Sequence, residues 1–198
     1  MDPATLDAYA RRAAAFAADW EEAQPAPLDL HNVVRRYFRA GGATVDVGCG
    51  SGRDAAWLVA NDYPAIGVDA SPALLAEARR RHPEVRFEVG ALPELAELNA
   101  GAWANILCET VLMHLAPGEI PRAASRLVEL LATRGTLYLT WRVTRGTDRR
   151  DEHGRLYAAF DAELVLSALA GLDVLLDEEV TSESSGKVIR RIVARQPH

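Results

Sequence analysis

Residues 44–54 read Thr-Val-Asp-Val-Gly-Cys-Gly-Ser-Gly-Arg-Asp, and the next strand-like run, Ala65 to Val68, ends on a lone acid, Asp69. Thr44–Val47 has the character of a short buried strand. Gly48, Gly50 and Gly52 then let the backbone turn sharply and approach a ligand with no Cβ in the way. A helix opens near Arg53, so its unpaired N–H groups point into the same space. In a parallel α/β sheet, an acid about 20 residues beyond such a loop stands beside it and can hold two ribose hydroxyls.

The glycine spacing narrows the ligand. A dinucleotide fingerprint is G-x-G-x-x-G, whose third glycine permits close helix–strand packing. Counted from Gly48 that third position is Arg53, and the pattern here is G-x-G-x-G. Asp46, at the strand end, repels a pyrophosphate but suits a ligand carrying an ammonium or sulfonium cation. Residues 45–52, Val-Asp-Val-Gly-Cys-Gly-Ser-Gly, together with 68–71, Val-Asp-Ala-Ser, resemble the class I S-adenosylmethionine-dependent methyltransferases. The resemblance covers roughly residues 40–195.

Several site assignments follow from that resemblance. It implies that Asp69 holds the donor's ribose and that Gly48 and Gly50 flank its amino-acid end. Asp46 faces the donor's ammonium through water or orients the loop. Arg53 reaches the donor's carboxylate or pairs with Asp54. Residues 85–92 occupy the adenine segment, where the family often has an acid after the glycine; Ala91 stands there, so recognition falls to the backbone of Ala91 and Leu92. Cys49, Ala70 and Cys108 complete the expected donor set, with Tyr9 on a helix lying over the donor or serving as an apolar staple.

The composition is that of an ordinary soluble globule. The chain has 198 residues, 49% hydrophobic and 25% charged, a length that fits one domain, 1–198, with residues 1–40 as an N-terminal helical cap. No apolar run approaches the roughly 18 residues of a membrane span, and no signal peptide opens the chain, so a cytoplasmic protein without a membrane partner is expected. The net charge of −6 argues against a general nucleic-acid binder, which needs a positive field. Lys187 is the sole lysine; the dominance of arginine and alanine reads as the compositional bias of a bacterial genome. Cys49 and Cys108 make no disulfide framework, and no metal-ligand spacing is present.

Along the chain, helical and strand-like patterns alternate. Leu6, Tyr9, Ala13, Phe16, Ala17 and Trp20 share one helix face, which ends before Pro25 and Pro27. The spacing then predicts helix 28–40, strand 44–47, helix 53–61, strand 65–69, helix 72–82, strand 85–89, a brief helix 94–99 and strand 104–109. Helix 118–132, a turn at Arg134-Gly135, strand 136–142, a charged segment 143–159 and helix 162–170 capped by Asp161 follow. Strands 172–181 and 187–195 close the chain as a hairpin across Ser184-Ser185-Gly186. Such alternation gives an α/β three-layer sandwich: a seven-stranded, mostly parallel sheet with helices on both faces. The resemblance supplies the order 3-2-1-4-5-7-6, with strand 7 antiparallel.

His114, after the fourth strand, is a candidate base because a neutral imidazole takes a proton near pH 7. Glu109 is the second candidate. In the segment that overhangs the C-terminal sheet edge, Arg142, Arg145, Arg155 and Tyr157 are placed to grip an anionic or aromatic acceptor. The expected activity is transfer of a methyl group from S-adenosylmethionine to a small molecule. The alternatives are a catalytically weak donor-binding regulatory module, a protein or RNA methyltransferase, and, least favoured, a nucleotide-dependent oxidoreductase. Oligomeric state is not legible in the sequence.

Overall fold

The computed structural model describes all 198 residues. Its centre is set by short runs that are buried on both sides: β1 (Thr44–Val47) is inaccessible along its whole length, as expected of a strand covered by helices above and below. β1 pairs in parallel with β2 (Ala65–Asp69) on one side and β4 (Trp103–Cys108) on the other. β3 (Arg86–Val89) extends the sheet beyond β2, and β5 (Leu131–Arg142) beyond β4. The closing hairpin, β8 (Asp173–Thr181) and β9 (Val188–Arg195), inserts β9 antiparallel against β5. The order is β3-β2-β1-β4-β5-β9-β8, which is the expected topology with its last two strands renumbered.

Side-chain alternation divides the core. Ile106, Cys108, Leu137, Leu139, Ile192 and Ala194 point to one face and pack with Ile120, Ala123, Ala124, Leu127 and Leu130 of α5 (Ile120–Leu130). Leu107, Tyr138 and Val193 point to the other, against Leu30 and Val34 of α2 (Leu28–Tyr37) and Leu58 of α3 (Arg53–Ala60). α4 (Pro72–Arg81) begins as its sequence dictates: Ser71 Oγ accepts the Leu74 N–H at 3.3 Å and Pro72 holds the first helical position. α1 (Pro3–Ala18) uses the same device, with the Asp2 carboxylate accepting the Thr5 N–H at 2.8 Å. It runs on into one π-helical turn, Asp19–Ala23, which carries Trp20.

Most departures from the sequence reading lie at element ends. The backbone at Phe38 is already extended, so α2 stops at Tyr37 rather than residue 40. α5 ends at Leu130, because Leu131 is extended and pairs with Trp103; the turn at Arg134-Gly135 therefore falls inside β5. No helix forms over 94–99. Leu95 adopts a left-handed φ of 42°, which opposes a right-handed helix, and Arg126 donates to the carbonyls of Glu94, Leu95 and Leu98 in place of helical N–H groups. The charged segment contains an unanticipated two-residue ribbon, β6 (Arg149–Arg150) with β7 (Leu156–Tyr157). The expected helix over 162–170 divides into α6 (Glu163–Leu166) and a 3₁₀ turn over 167–169; Asp161 Oδ1 accepts the Glu163 N–H at its start. No helix is long and apolar enough to cross a membrane.

Candidate functional site

The loop after β1 is bent by its glycines. Gly48, Gly50 and Gly52 take φ values of 78°, 56° and 87°, the left-handed region that side chains rarely enter. The Val68 carbonyl accepts the N–H of both Gly48 (2.7 Å) and Cys49 (3.1 Å), tying the loop to β2. The space is shared closely: a Cβ on Gly48 would stand 2.2 Å from Val111 Cγ2, and one on Gly50 2.9 Å from the Trp20 ring. Asp69 receives the Gly50 N–H at 3.0 Å and the Ser71 N–H at 2.8 Å, so its carboxylate also sets the loop's shape.

This loop forms one wall of a cleft of about 310 Å³ at the C-terminal ends of the parallel strands. Asp46, Gly48, Cys49, Gly50, Arg53, Asp69, Ala70, Ala91 and Leu92 all line it, as does Tyr9. Cys108 does not; it is fully buried in the core cluster beneath α5, which corrects its assignment to the donor set. Burial pushes both thiols well above their usual range, with the carboxylates nearby acting in the same direction. Arg53 binds Asp54 through two hydrogen bonds (3.0 and 3.2 Å) and donates to the Trp20 carbonyl at 3.0 Å.

Asp46 is the most exceptional group in the cleft. Its side chain is 2% exposed, and Oδ2 has no hydrogen-bond partner. Burial raises its pKa well above the carboxylate range, and the neighbouring charges of Asp54, Asp69 and Glu109 add to the effect. An unsatisfied buried carboxylate is costly unless a cationic or donor group meets it.

On the opposite side, Glu109 accepts the Thr140 hydroxyl at 2.7 Å. Burial pushes its pKa up to about 7, against the opposing effect of that hydrogen bond. His114 lies next to Tyr9: its Nε2 is 3.0 Å from the Tyr9 hydroxyl, and Nδ1 is 2.6 Å from the Leu156 carbonyl. A carbonyl only accepts, so Nδ1 carries the ring proton and Nε2 accepts from tyrosine. Burial holds the imidazole neutral, with its pKa lowered to about 4. Arg142 and Tyr157 line the cleft and stack, the guanidinium 4.7 Å from the ring centroid. Arg155 lines it too, paired with Asp151 at 2.7 Å. Arg145 does not: it points outward to Glu179 (2.9 Å), so its assignment to the acceptor set is corrected.

Residues 44–135 match a family described as a methyltransferase domain. That stretch is a little under half of the chain, and over it the sequence is similar to methyltransferase domains. The chain is 36% identical over 126 residues to a trans-aconitate 2-methyltransferase of Methylobacterium nodulans, covering 56% of this chain and 46% of that one. It is 28% identical over 148 residues to a ubiquinone biosynthesis O-methyltransferase of Pseudomonas paraeruginosa, covering 72% and 60%. The chain thus spans about half the length of the curated relatives it matches. In fold it is similar to the Burkholderia thailandensis 1,6-didemethyltoxoflavin-N1-methyltransferase, solved with that compound and S-adenosylhomocysteine bound. The TM-score is 0.70 at 22% identity, over 98% of this chain and 86% of the other.

The sequence pattern missed two parts of the cleft. Trp20 lies over Gly50, packed on Phe16 with ring centroids 5.7 Å apart. Its place on the stripe with Tyr9 and Phe16 was legible, but the π turn that lowers it onto the loop was not. The β8–β9 turn contributes Ser182, Ser184, Ser185 and Lys187. Read as a bare hairpin connection, that turn gave no sign in the sequence that it reaches back to the glycine loop.

Proposed function

We propose that this chain transfers a methyl group from S-adenosylmethionine to a small-molecule acceptor. The observation that carries the reading is the unpartnered Asp46 carboxylate beneath a glycine loop, with a second acid, Asp69, at the tip of the neighbouring strand. Asp46 and the loop fit the cationic amino-acid end of such a donor, Asp69 fits its ribose diol, and the backbone of Ala91 and Leu92 fits its adenine. Small-molecule acceptors are suggested by the names of the relatives, which act on trans-aconitate or in ubiquinone biosynthesis.

When bound, the donor supplies a methyl on a positively charged sulfur, already activated for displacement. The protein's part is then to position the acceptor in line, exclude water and take up a proton. Orientation can lower the barrier by up to about 7–11 kcal/mol. Glu109 is the proton acceptor in this reading, since a carboxyl poised near neutrality suits that task. His114, with both nitrogens engaged, holds the Tyr9 hydroxyl in place. Residues 1–198 act as one domain; of the expected cap, residues 1–24 cover the cleft, whereas α2 packs on the sheet.

Calorimetry with S-adenosylhomocysteine and with NAD tests the reading. Binding of the first and not the second is expected, with Asp69→Ala weakening it ten- to a hundredfold, the loss of about 1.5–3 kcal/mol for hydrogen bonds to a charged group. Binding of NAD alone sinks the proposal.

A further inference from the structure

Charge in the cleft is divided between its two ends. The carboxylates Asp46, Asp69 and Glu109 come from the ends of β1, β2 and β4, and Asp54 from the first turn of α3. At the other end, β5 and the β8–β9 turn contribute Arg142 and Lys187. Of the four cationic side chains that line the cleft, Arg53 is paired with Asp54 and Arg155 with Asp151. Arg142 and Lys187 have no carboxylate within ion-pair distance.

The sheet register brings these two together. Arg142 lies opposite Ile189 in the antiparallel β5–β9 ladder, which places Lys187, two residues before Ile189, diagonally across on the same face. Arg142, Ile189 and Lys187 all line the cleft, as that register requires. Diagonal neighbours lie about 7–8 Å apart, within reach of long side chains. Two like charges at such positions repel each other, and an anion between them would relieve that repulsion, with Arg142 already oriented by its stacking on Tyr157. Hydroxyl groups stand beside them: Ser182 Oγ is 3.2 Å from Ser184 Oγ and accepts the Ser185 N–H at 3.4 Å. Glu183, the one acid in this turn, does not line the cleft.

We propose that Arg142 and Lys187 form an oxyanion subsite, flanked by the serines of the β8–β9 turn, and that the acceptor carries a carboxylate or phosphate group seated there. The inference rests on the methyltransferase reading for its functional meaning, while the subsite itself rests only on these residues. It gives the cleft a polarity: a cationic donor at the acidic end and an anionic acceptor at the basic end. An arginine fork and a lysine ammonium both suit carboxylate or phosphate oxygens.

The test is titration with citrate, with its uncharged trimethyl ester and with inorganic phosphate, each with and without saturating S-adenosylhomocysteine. Binding of citrate or phosphate, with none by the ester, is expected; the stronger of the two distinguishes a carboxylate from a phosphate subsite. Lys187→Gln and Arg142→Gln should each weaken the anion about tenfold or more while S-adenosylhomocysteine affinity stays within twofold. Arg145→Gln, outside the cleft, should change neither. Equal binding of ester and acid, no anion binding at all, or full anion affinity in both cleft variants overturns the subsite. Failure of S-adenosylhomocysteine to bind instead counts against the donor reading, since the anion titrations without it still report on the subsite.

Discussion

The Tyr9 hydroxyl donates to His114 Nε2 at 3.0 Å, joining α1 to the loop after β4 across the mouth of the cleft. The bond fixes the imidazole as the neutral Nδ1–H tautomer, with the Leu156 carbonyl as its second partner. Its pKa is lowered by burial to about 4, below an unfolded value near 6.5. The unfolded chain therefore takes up a proton that the folded chain refuses as pH falls through this window, and stability drops. Between pH 7 and pH 5 this group alone should remove about 2 kcal/mol. His114→Ala should be less stable than wild type at pH 7, having orphaned two buried polar groups, yet should lack that pH-dependent loss. Urea unfolding at the two pH values checks it. An equal loss in both proteins would mean that the imidazole titrates normally.

Asp46 makes a prediction about protons rather than affinity. Its raised pKa favours the protonated form in the free protein, and an incoming ammonium or sulfonium favours the carboxylate. Donor binding should therefore release up to one proton. Calorimetry of S-adenosylhomocysteine binding at pH 6.5, in buffers of different ionisation enthalpy, should give heats that differ in wild type. Asp46→Asn should narrow that spread of heats, leaving only what Glu109 contributes, and bind more weakly.

Glu109 titrates in the opposite sense to His114. Its folded pKa of about 7 lies above the ordinary value of 4.5, so the folded chain resists losing a proton and stability falls as pH rises through that window. Glu109→Gln keeps an acceptor for the Thr140 hydroxyl and should recover about 3 kcal/mol relative to wild type at pH 8 compared with pH 4. Activity should move the other way. Wild-type kcat/KM should rise with pH through an inflection near 7. The variant should lose that limb and fall by about a hundredfold or more at pH 8 with S-adenosylhomocysteine affinity unchanged. An unaltered pH profile removes Glu109 as the proton acceptor.

The glycine-loop half of the cleft was legible because its determinants are local. Thr44–Val47, three glycines and Asp69 specify strand, turn and acid within one βαβ unit, and the structure places them on one wall. The acceptor half was not, because its parts meet only through the sheet. Lys187 becomes a neighbour of Arg142 through the antiparallel register of β9, and Arg145, three residues beyond Arg142, is drawn away by Glu179 on β8. Helix 94–99 failed for a similar reason: its carbonyls are claimed by Arg126 of α5, 32 residues beyond Glu94. Local pattern carries no information about which distant side chain competes for a backbone group.

The last prediction connects stability to the cleft. Arg191, 4% exposed on β9, binds Asp29 of α2, with Glu178 Oε1 at 3.2 Å and the Tyr138 hydroxyl at 3.1 Å as further partners. Removing Asp29 leaves the buried guanidinium with only the partly exposed Glu178 as a charged partner, so Asp29→Ala should cost about 1.5–3 kcal/mol in urea unfolding. Replacing both, as Asp29→Leu with Arg191→Met, should cost markedly less, because no charge is left buried without a partner. The two changes also separate at the active centre. Arg191 helps to hold the Glu109 pKa down through its charge, so Arg191→Met, alone or in the double variant, should move the kcat/KM inflection above its wild-type position. Asp29→Ala leaves that charge in place and should not move it upward. A double variant that is stable but keeps the wild-type inflection would show that the guanidinium fastens α2 to the sheet and has no electrostatic reach to Glu109.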